Sequence, residues 1–239
     1  MAIQITRKAL PPSAYENVDG VLFPCIEEEP LVQGDWHDAA VFDVKGMVKA
    51  HLADRPGVHV GSDTFVFWDR TDPDKKVAPD LFVCPVVAPR SSERKSFKVF
   101  QELSGPRFVL EVLSDSTDKA DWGGKFRVYA EELSVVEYFL FEPREVPGQV
   151  WGFRLREGQY QPISPNARGR IWSEEVELWF GVDEHGAIQT WTEEGRALLR
   201  PLEAMRRAEE EMRRANALEA RVRALEAELE RRGRQGSPD

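Results

Sequence analysis

No stretch of the 239 residues approaches the eighteen or so uncharged apolar residues that a bilayer crossing needs, and the opening MAIQITRKALPPS lacks the apolar run of a secretory signal. The chain is therefore expected to be soluble and cytoplasmic, with no membrane as partner. Cysteine is scarce: Cys25 and Cys84 are the two in the chain, and no CxxC or Cys/His spacing surrounds them. That leaves no zinc motif, and both are expected to be buried free thiols. A basic surplus is lacking as well. The formal net charge is −10, whereas phosphate contacts come from clustered Lys and Arg. From Arg196 onward 11 Arg stand against nine acids, so the tail carries about +2 and everything before it about −12. No basic stripe, recognition helix or base-reading motif is visible. Any nucleic-acid contact has to be local, or neutralised by metal ions.

What is present is a 41% hydrophobic content, enough for one good core and an appendage rather than two full domains. Val41, Val44, Val48 and Leu52 recur at helical spacing, with Asp35 as the expected N-cap and Arg55-Pro56-Gly57 as the stop. Three β-like runs follow, 58–68, 77–87 and 108–114, separated by the polar turn 72–76 and the loop 91–104. Phe126, Tyr129 and Leu133 then form the stripe of a second helix, and 135–141 reads as a strand that is apolar on both faces. Two more amphipathic runs, 149–156 and 170–179, complete the expected α/β fold, a mixed sheet core flanked by helices. Residues 1–192 are assigned to this domain.

Beyond Thr192 the composition turns to Ala, Glu, Arg and Leu, with no Gly from Arg196 until Gly233. One long C-terminal helix is expected over 193–233, and a disordered tail over 234–239. Leu198, Leu202, Met205 and Met212 fit one heptad register; Leu218, Val222, Leu225 and Leu229 fit another, shifted by about one residue. Such a seam needs a partner. The expectation is a coiled coil giving a homodimer or other oligomer; the alternative is a helix packed back on its own domain.

Polar residues stand where the pattern asks for apolar ones. Asp80 enters a strand after Pro79 in VAPDLFVCP, and Glu111 interrupts FVLEVLS in mid-strand, where an unpaired carboxylate is expensive to bury. Each needs a cation. Lys125 lies on the following helix, with Asp121 one turn before it. Two carboxylates from adjacent strands can hold a hard divalent cation, which polarises a phosphate and acidifies water, while a lysine steadies the growing negative charge. From spacing alone, phosphodiester hydrolysis and a buried ion pair without turnover stand about level. Paired carboxylates would also suit a glycosidase, which leaves Lys125 without a role.

A resemblance separates these readings. Pro79-Asp80 with Glu111-Val112-Leu113 resembles the PD-(D/E)xK nuclease superfamily, except that Leu113 stands where its lysine would be. In the Uma-type restriction-endonuclease family, a branch of that superfamily, the lysine sits on the next helix, after an EVLSPST-like segment. The stretch EVLSDSTDKADWGGKFRVYAE is similar throughout, with Glu111, Ser114, Ser116, Thr117, Asp121, Lys125 and Tyr129 in the family's positions. VEYFLFEP, with Glu137, Tyr138 and Pro143, resembles its peYWlvdp continuation, and YENVDGVLF from Tyr15 to Phe23 its opening segment. His37 resembles its histidine before the first helix. The likeness covers roughly residues 15–143. Departures are Asp115 in place of proline and Gly123-Gly124 before Lys125, which weaken that helix start by about 1 kcal/mol per glycine.

The resemblance implies a restriction-endonuclease-like fold and a Mg²⁺- or Mn²⁺-dependent endonuclease acting on nucleic acid, with DNA the expected substrate. It implies Asp80 and Glu111 as metal ligands, the Val112 carbonyl as a further ligand, and Lys125 as the catalytic lysine. His37 and Asp121 are expected in capping or packing roles, and Trp122 as a surface on which a base could stack. The other class kept open is a non-catalytic nuclease-fold module that assembles through its coiled coil.

Overall fold

A computed structural model of the chain describes residues 11–26, 34–86, 94–102, 104–114 and 120–235. The chain divides into two compact units, Met1–Leu198 and Leu199–Asp239. The first opens with a hairpin of β1 (Tyr15–Val18) and β2 (Val21–Pro24). Its turn residues Asp19 and Gly20 have φ of 52° and 89°, the doubly left-handed turn that suits strand twist and that Asp-Gly adopts readily. Helix α1 (Asp35–His51) is capped by Gly34, so Asp35 is its first residue rather than its cap. Asp35 and Asp38 in the first turn, with Lys49 in the last, complement the helix dipole.

Next come β3 (Val58–Gly61), β4 (Val66–Phe67), β5 (Lys76–Val77), β6 (Leu81–Pro85), β7 (Phe97–Lys98), α2 (Val99–Glu102) and β8 (Phe108–Val112). The runs expected to be continuous over 58–68 and 77–87 are each broken. Asp63 takes φ 47°, and its N–H turns to the Pro79 carbonyl at 3.0 Å; Pro79 has no N–H to give a ladder. Helix α3 follows in three windings, π-type Ala120–Gly124, α-type Lys125–Arg127 and π-type Val128–Glu132. Then come β9 (Glu137–Glu142), β10 (Gln149–Arg156), β11 (Gln159–Pro162), β12 (Ile171–Ser173), β13 (Leu178–Val182) and β14 (Ile188–Trp191). The run expected over 170–179 is thus two strands, turned at Glu177 with φ 55°.

The main sheet has six strands in the order β11-β10-β9-β8-β6-β3; β8 and β9 pair parallel and the other neighbours antiparallel. It is the expected mixed sheet, and both its faces are covered, which is why its central strands read as nearly unbroken apolar runs. On one face Leu81, Val83, Phe108, Leu110, Phe139 and Phe141 meet Val41, Val44 and Val48 of α1 and Leu178 and Phe180 of β13. On the other, Phe82, Cys84, Val109, Leu113, Tyr138 and Leu140 meet Tyr129 and Leu133 of α3. Cys84 is buried as expected and its thiol is pushed up to about 12 by desolvation, whereas Cys25 is only half-buried. Of the seven tryptophans only Trp191 is buried; Trp36 and Trp122 are exposed, so the indoles mostly edge the core rather than fill it.

Glu137, at the start of β9, is fully buried and satisfied: it accepts from Arg154 of β10, from the Ser173 hydroxyl and from the Glu174 N–H at 3.0 Å. A buried carboxylate is tolerable only with this density of partners. Here it ties the small sheet β12-β13-β14 to the large one.

The second unit is helix α4 (Pro201–Gln235). The helix expected from 193 begins later because 192–198 is already committed: Thr192 N–H donates to the Arg196 carbonyl, Gly195 sits at φ 83°, and Ala197 bridges Trp191. Pro201 then occupies the first helical position and the Glu203 carboxylate accepts from the Arg200 N–H at 3.0 Å, half of a capping box. Leu202, Met205, Met212, Leu218, Val222, Leu225 and Leu229 are all exposed on this helix. Of the tail expected to be disordered, residues 236–239 lie outside the described residues. Among the described residues no helix is long and apolar enough to cross a membrane.

Candidate active site

The site is built where β6 begins and β8 ends. These strands pair antiparallel with Leu81 opposite Leu110, so one step further Asp80 stands opposite Glu111. Opposed residues of an antiparallel pair share a face. Alternation with Val109 and Leu113 places Glu111 on the face that α3 covers. Asp80 Oδ2 accepts the Val112 N–H at 2.7 Å and lies 3.2 Å from His37 Nε2, delivered by the first turn of α1. The Asp80 N–H points to Glu111 Oε2 at 3.3 Å, and the same oxygen is 3.1 Å from Lys125 Nζ. The Tyr129 hydroxyl donates to Glu111 Oε1. Lys125 and Tyr129 are four residues apart on α3, hence side by side on its surface.

Burial gives this geometry its energetic meaning. Asp80 is 6% exposed and Glu111 0%, while the Lys125 side chain is 22% exposed, so the pair opens to solvent on the lysine side. Charges so placed are held only by opposite charge and dense hydrogen bonding. Burial disfavours a positive His37, but the Asp80 carboxylate outweighs it and the imidazole pKa is raised above its ordinary 6.5. A proton on Nε2 that Asp80 accepts fits this direction. Beside this corner, a cleft of about 240 Å³ is lined by Asp38, Val41, Phe42, Lys45, Ser62 and Asp63. Lys45 Nζ donates to Ser62 Oγ at 2.6 Å. Partial desolvation and the nearby Asp80 charge hold the Asp63 pKa above its ordinary 3.8, against the Ser62 hydroxyl, Lys45 and His37.

The three residues expected to act together are therefore brought together: Asp80, Glu111 and Lys125 meet in one buried cluster. His37 joins them through Asp80 rather than merely packing beside Trp36. Ser116, Thr117, Asp115 and the side chain of Asp121 lie outside the described residues. Trp122 is 43% exposed, its ring held edge-on by Trp151 at 5.3 Å and Phe153 at 6.0 Å. Sequence reasoning placed Tyr129 in a buried stripe without a role in the site, and passed over Asp63 and Lys45. The four-residue spacing from Lys125 could have shown the first; nothing local marks the other two, which the fold delivers from α1 and the β3–β4 turn.

The donor chemistry suits a hard divalent cation. Asp80 and Glu111 supply carboxylate oxygens from adjacent strands, and the Val112 carbonyl is at the same strand end. Among the described residues no three His, Cys, Asp or Glu side chains converge as a full ligand cage.

The profile of the family described as "Uma2: Putative restriction endonuclease" matches residues 8–183. The chain belongs to the Uma2 family. Within curated proteins it is 31% identical over 102 residues to an uncharacterized protein of Synechocystis, a stretch covering 43% of this chain and 53% of that one. The match thus spans about half the length of that relative. Among solved structures it resembles one titled "a putative nuclease belonging to DUF820", from Anabaena variabilis, with 16% identity, a TM-score of 0.46, and coverage of 70% of this chain and 86% of the other. The Uma2 match takes in every element from β1 to β13, and with them Asp80, Glu111 and Lys125.

Proposed function

We propose that this Uma2 protein is a metal-dependent endonuclease that hydrolyses phosphodiester bonds in DNA, with Asp80 and Glu111 as metal ligands and Lys125 as the catalytic lysine. The observation that carries the reading is the buried opposition of Asp80 and Glu111, with Lys125 reaching Glu111 Oε2 at 3.1 Å from the side open to solvent. Mg²⁺ or Mn²⁺ suits the oxygen donors, the Val112 carbonyl completing the protein's share; when bound it supplies Lewis-acid polarisation of the phosphate and an acidified water. The chain's own residues do the rest. Tyr129 holds Glu111, His37 and the Val112 N–H hold Asp80, and Lys125 places a positive charge where the substrate enters and the transition state gains negative charge. With a net charge of −10, contact with a polyanion has to be local or neutralised by the cation. A second copy joined through α4 would offer two such sites to the two strands of a duplex.

The test is metal binding and plasmid nicking, run side by side for the wild type and Asp80→Asn. Metal-dependent nicking lost in the variant is the expected result. Metal binding without nicking of DNA or RNA would refute it, and would turn the reading to a module whose business is assembly through α4.

A further inference from the structure

We propose that α4 pairs with α4 of a second copy of this chain as a parallel, in-register coiled coil, its direction set by Arg221 and Glu226. Beyond the expected homodimer or other oligomer, this fixes the direction of pairing and the residues that decide it, and it stands independently of the nuclease chemistry. The apolar residues Ala215, Leu218, Val222, Leu225 and Leu229 occupy successive a and d positions of one heptad register, a at 215, 222 and 229 and d at 218 and 225. Leu218, Val222, Leu225 and Leu229 are 67%, 52%, 45% and 68% exposed on a helix that is itself well formed. Of the a positions Val222 is β-branched and both d positions are Leu, the combination that favours two parallel strands.

Charge on the flanks chooses the direction. In this register Arg214, Arg221 and Glu228 hold the g positions, Glu219 and Glu226 the e positions. A parallel pair sets each g against the e five residues later on its partner, giving Arg214 to Glu219 and Arg221 to Glu226, each twice by symmetry. An antiparallel pair sets g against g and e against e: its e pairs oppose Glu to Glu, and at g Glu228 is the one acid to meet the two Arg. Arg214 and Glu219 also have partners on their own helix, Glu210 at 3.9 Å and Arg223 at 3.5 Å. Arg221 does not: three and four residues from it stand Ala217, Leu218, Ala224 and Leu225. A second helix in the parallel arrangement offers it the Glu226 carboxylate.

The test uses the full chain in sedimentation equilibrium, with helix content followed by circular dichroism. The wild type sediments as a dimer. Arg221→Glu opposes Glu to Glu and Glu226→Arg opposes Arg to Arg, so each raises the dimer dissociation constant roughly tenfold. The double variant R221E/E226R regains the wild-type constant. A wild-type monomer, or an R221E chain that dimerises unchanged, overturns the proposal. Direction is read separately by Leu218→Cys and Leu225→Cys, each oxidised alone, with peptide mapping to separate the products from Cys25 and Cys84. Both cross-link to themselves in a parallel pair. An antiparallel pair that joined one position would hold the other about 21 Å apart, beyond disulfide reach, so a cross-link at one site alone refutes the parallel arrangement.

Discussion

Replacing Lys125 by Met tests whether the site is a cation site or only an ion pair. Met keeps the aliphatic stem and removes the charge. Glu111, fully buried, is then left with the Tyr129 hydroxyl and the Asp80 N–H at 3.3 Å as its named partners. Breaking a buried pair by removing one partner costs about 3–5 kcal/mol, and the partial exposure of Lys125 places this case at the low end, about 3 kcal/mol. In a chain of this size that lowers the thermal midpoint by roughly 6–12 °C in EDTA. A divalent cation held by Asp80 and Glu111 replaces the missing charge, and at a hundredfold excess over its dissociation constant restores about 2.7 kcal/mol. The assay is thermal unfolding by circular dichroism at pH 7, wild type against Lys125→Met, in EDTA and in a Mg²⁺ series. The expected result is a large deficit in EDTA that Mg²⁺ mostly removes, and no such recovery when Asp80→Asn is added. A deficit that no divalent cation touches would refute the metal assignment. No deficit at all would show that Lys125 is not what holds Glu111 charged.

Asp63→Asn should raise the thermal midpoint of the metal-free protein at pH 7, because it removes repulsion from Asp80 and Asn accepts the φ of 47° at least as readily as Asp; a fall would place Asp63 in a stabilising contact instead. Glu137→Ala should destabilise by about 3 kcal/mol in urea, by stranding the Ser173 and Glu174 donors and leaving Arg154 with Glu174 as its remaining named carboxylate; a loss under 1 kcal/mol would show that the two sheets hold without it. The hydrogen bond from Arg144 lowers the Glu142 pKa in the folded state, so its stabilisation is present above the ordinary 4.5 and is lost as pH falls through the lower folded value. Arg144→Ala should therefore cost about 1–2 kcal/mol at pH 7, with the gap closing in acid; a gap that is the same at pH 7 and in strong acid would remove the ionic explanation.

How much of this was legible beforehand depended on how local the cause was. The central strands announced themselves because burial on both faces demands unbroken apolar runs, and Glu111 stood out against that background for the same reason. The Asp19-Gly20 hairpin carried its signal in two adjacent residues, yet went unread as a turn within the opening family-like segment. Breaks inside 58–68 and 170–179 were hidden, since a left-handed Asp63 or Glu177 is chosen by what the neighbouring strands require and not by its own side chain. The site divides the same way. Asp80 and Glu111, on adjacent strands of one sheet, violate local patterning, and Lys125 follows on the next helix. His37 and Asp63 become part of the site only because α1 and the β3–β4 turn close over the end of β6, a tertiary fact with no local mark.

The segment between β14 and α4 has a practical bearing on how the gene can be cut. Ala197 bridges Trp191, the Leu198 N–H donates to the Thr190 carbonyl at 3.0 Å, the Leu198 carbonyl accepts from the Gln189 amide at 2.8 Å, and its side chain packs on the main core. Those few residues behave as a selvage along the outer strand of the small sheet. A stop codon in place of Arg196 unravels it and bares a strand edge that invites clumping, whereas a stop codon in place of Pro201 leaves the hem sewn. Five codons thus separate a fragment with a bared strand edge from one whose edge stays covered.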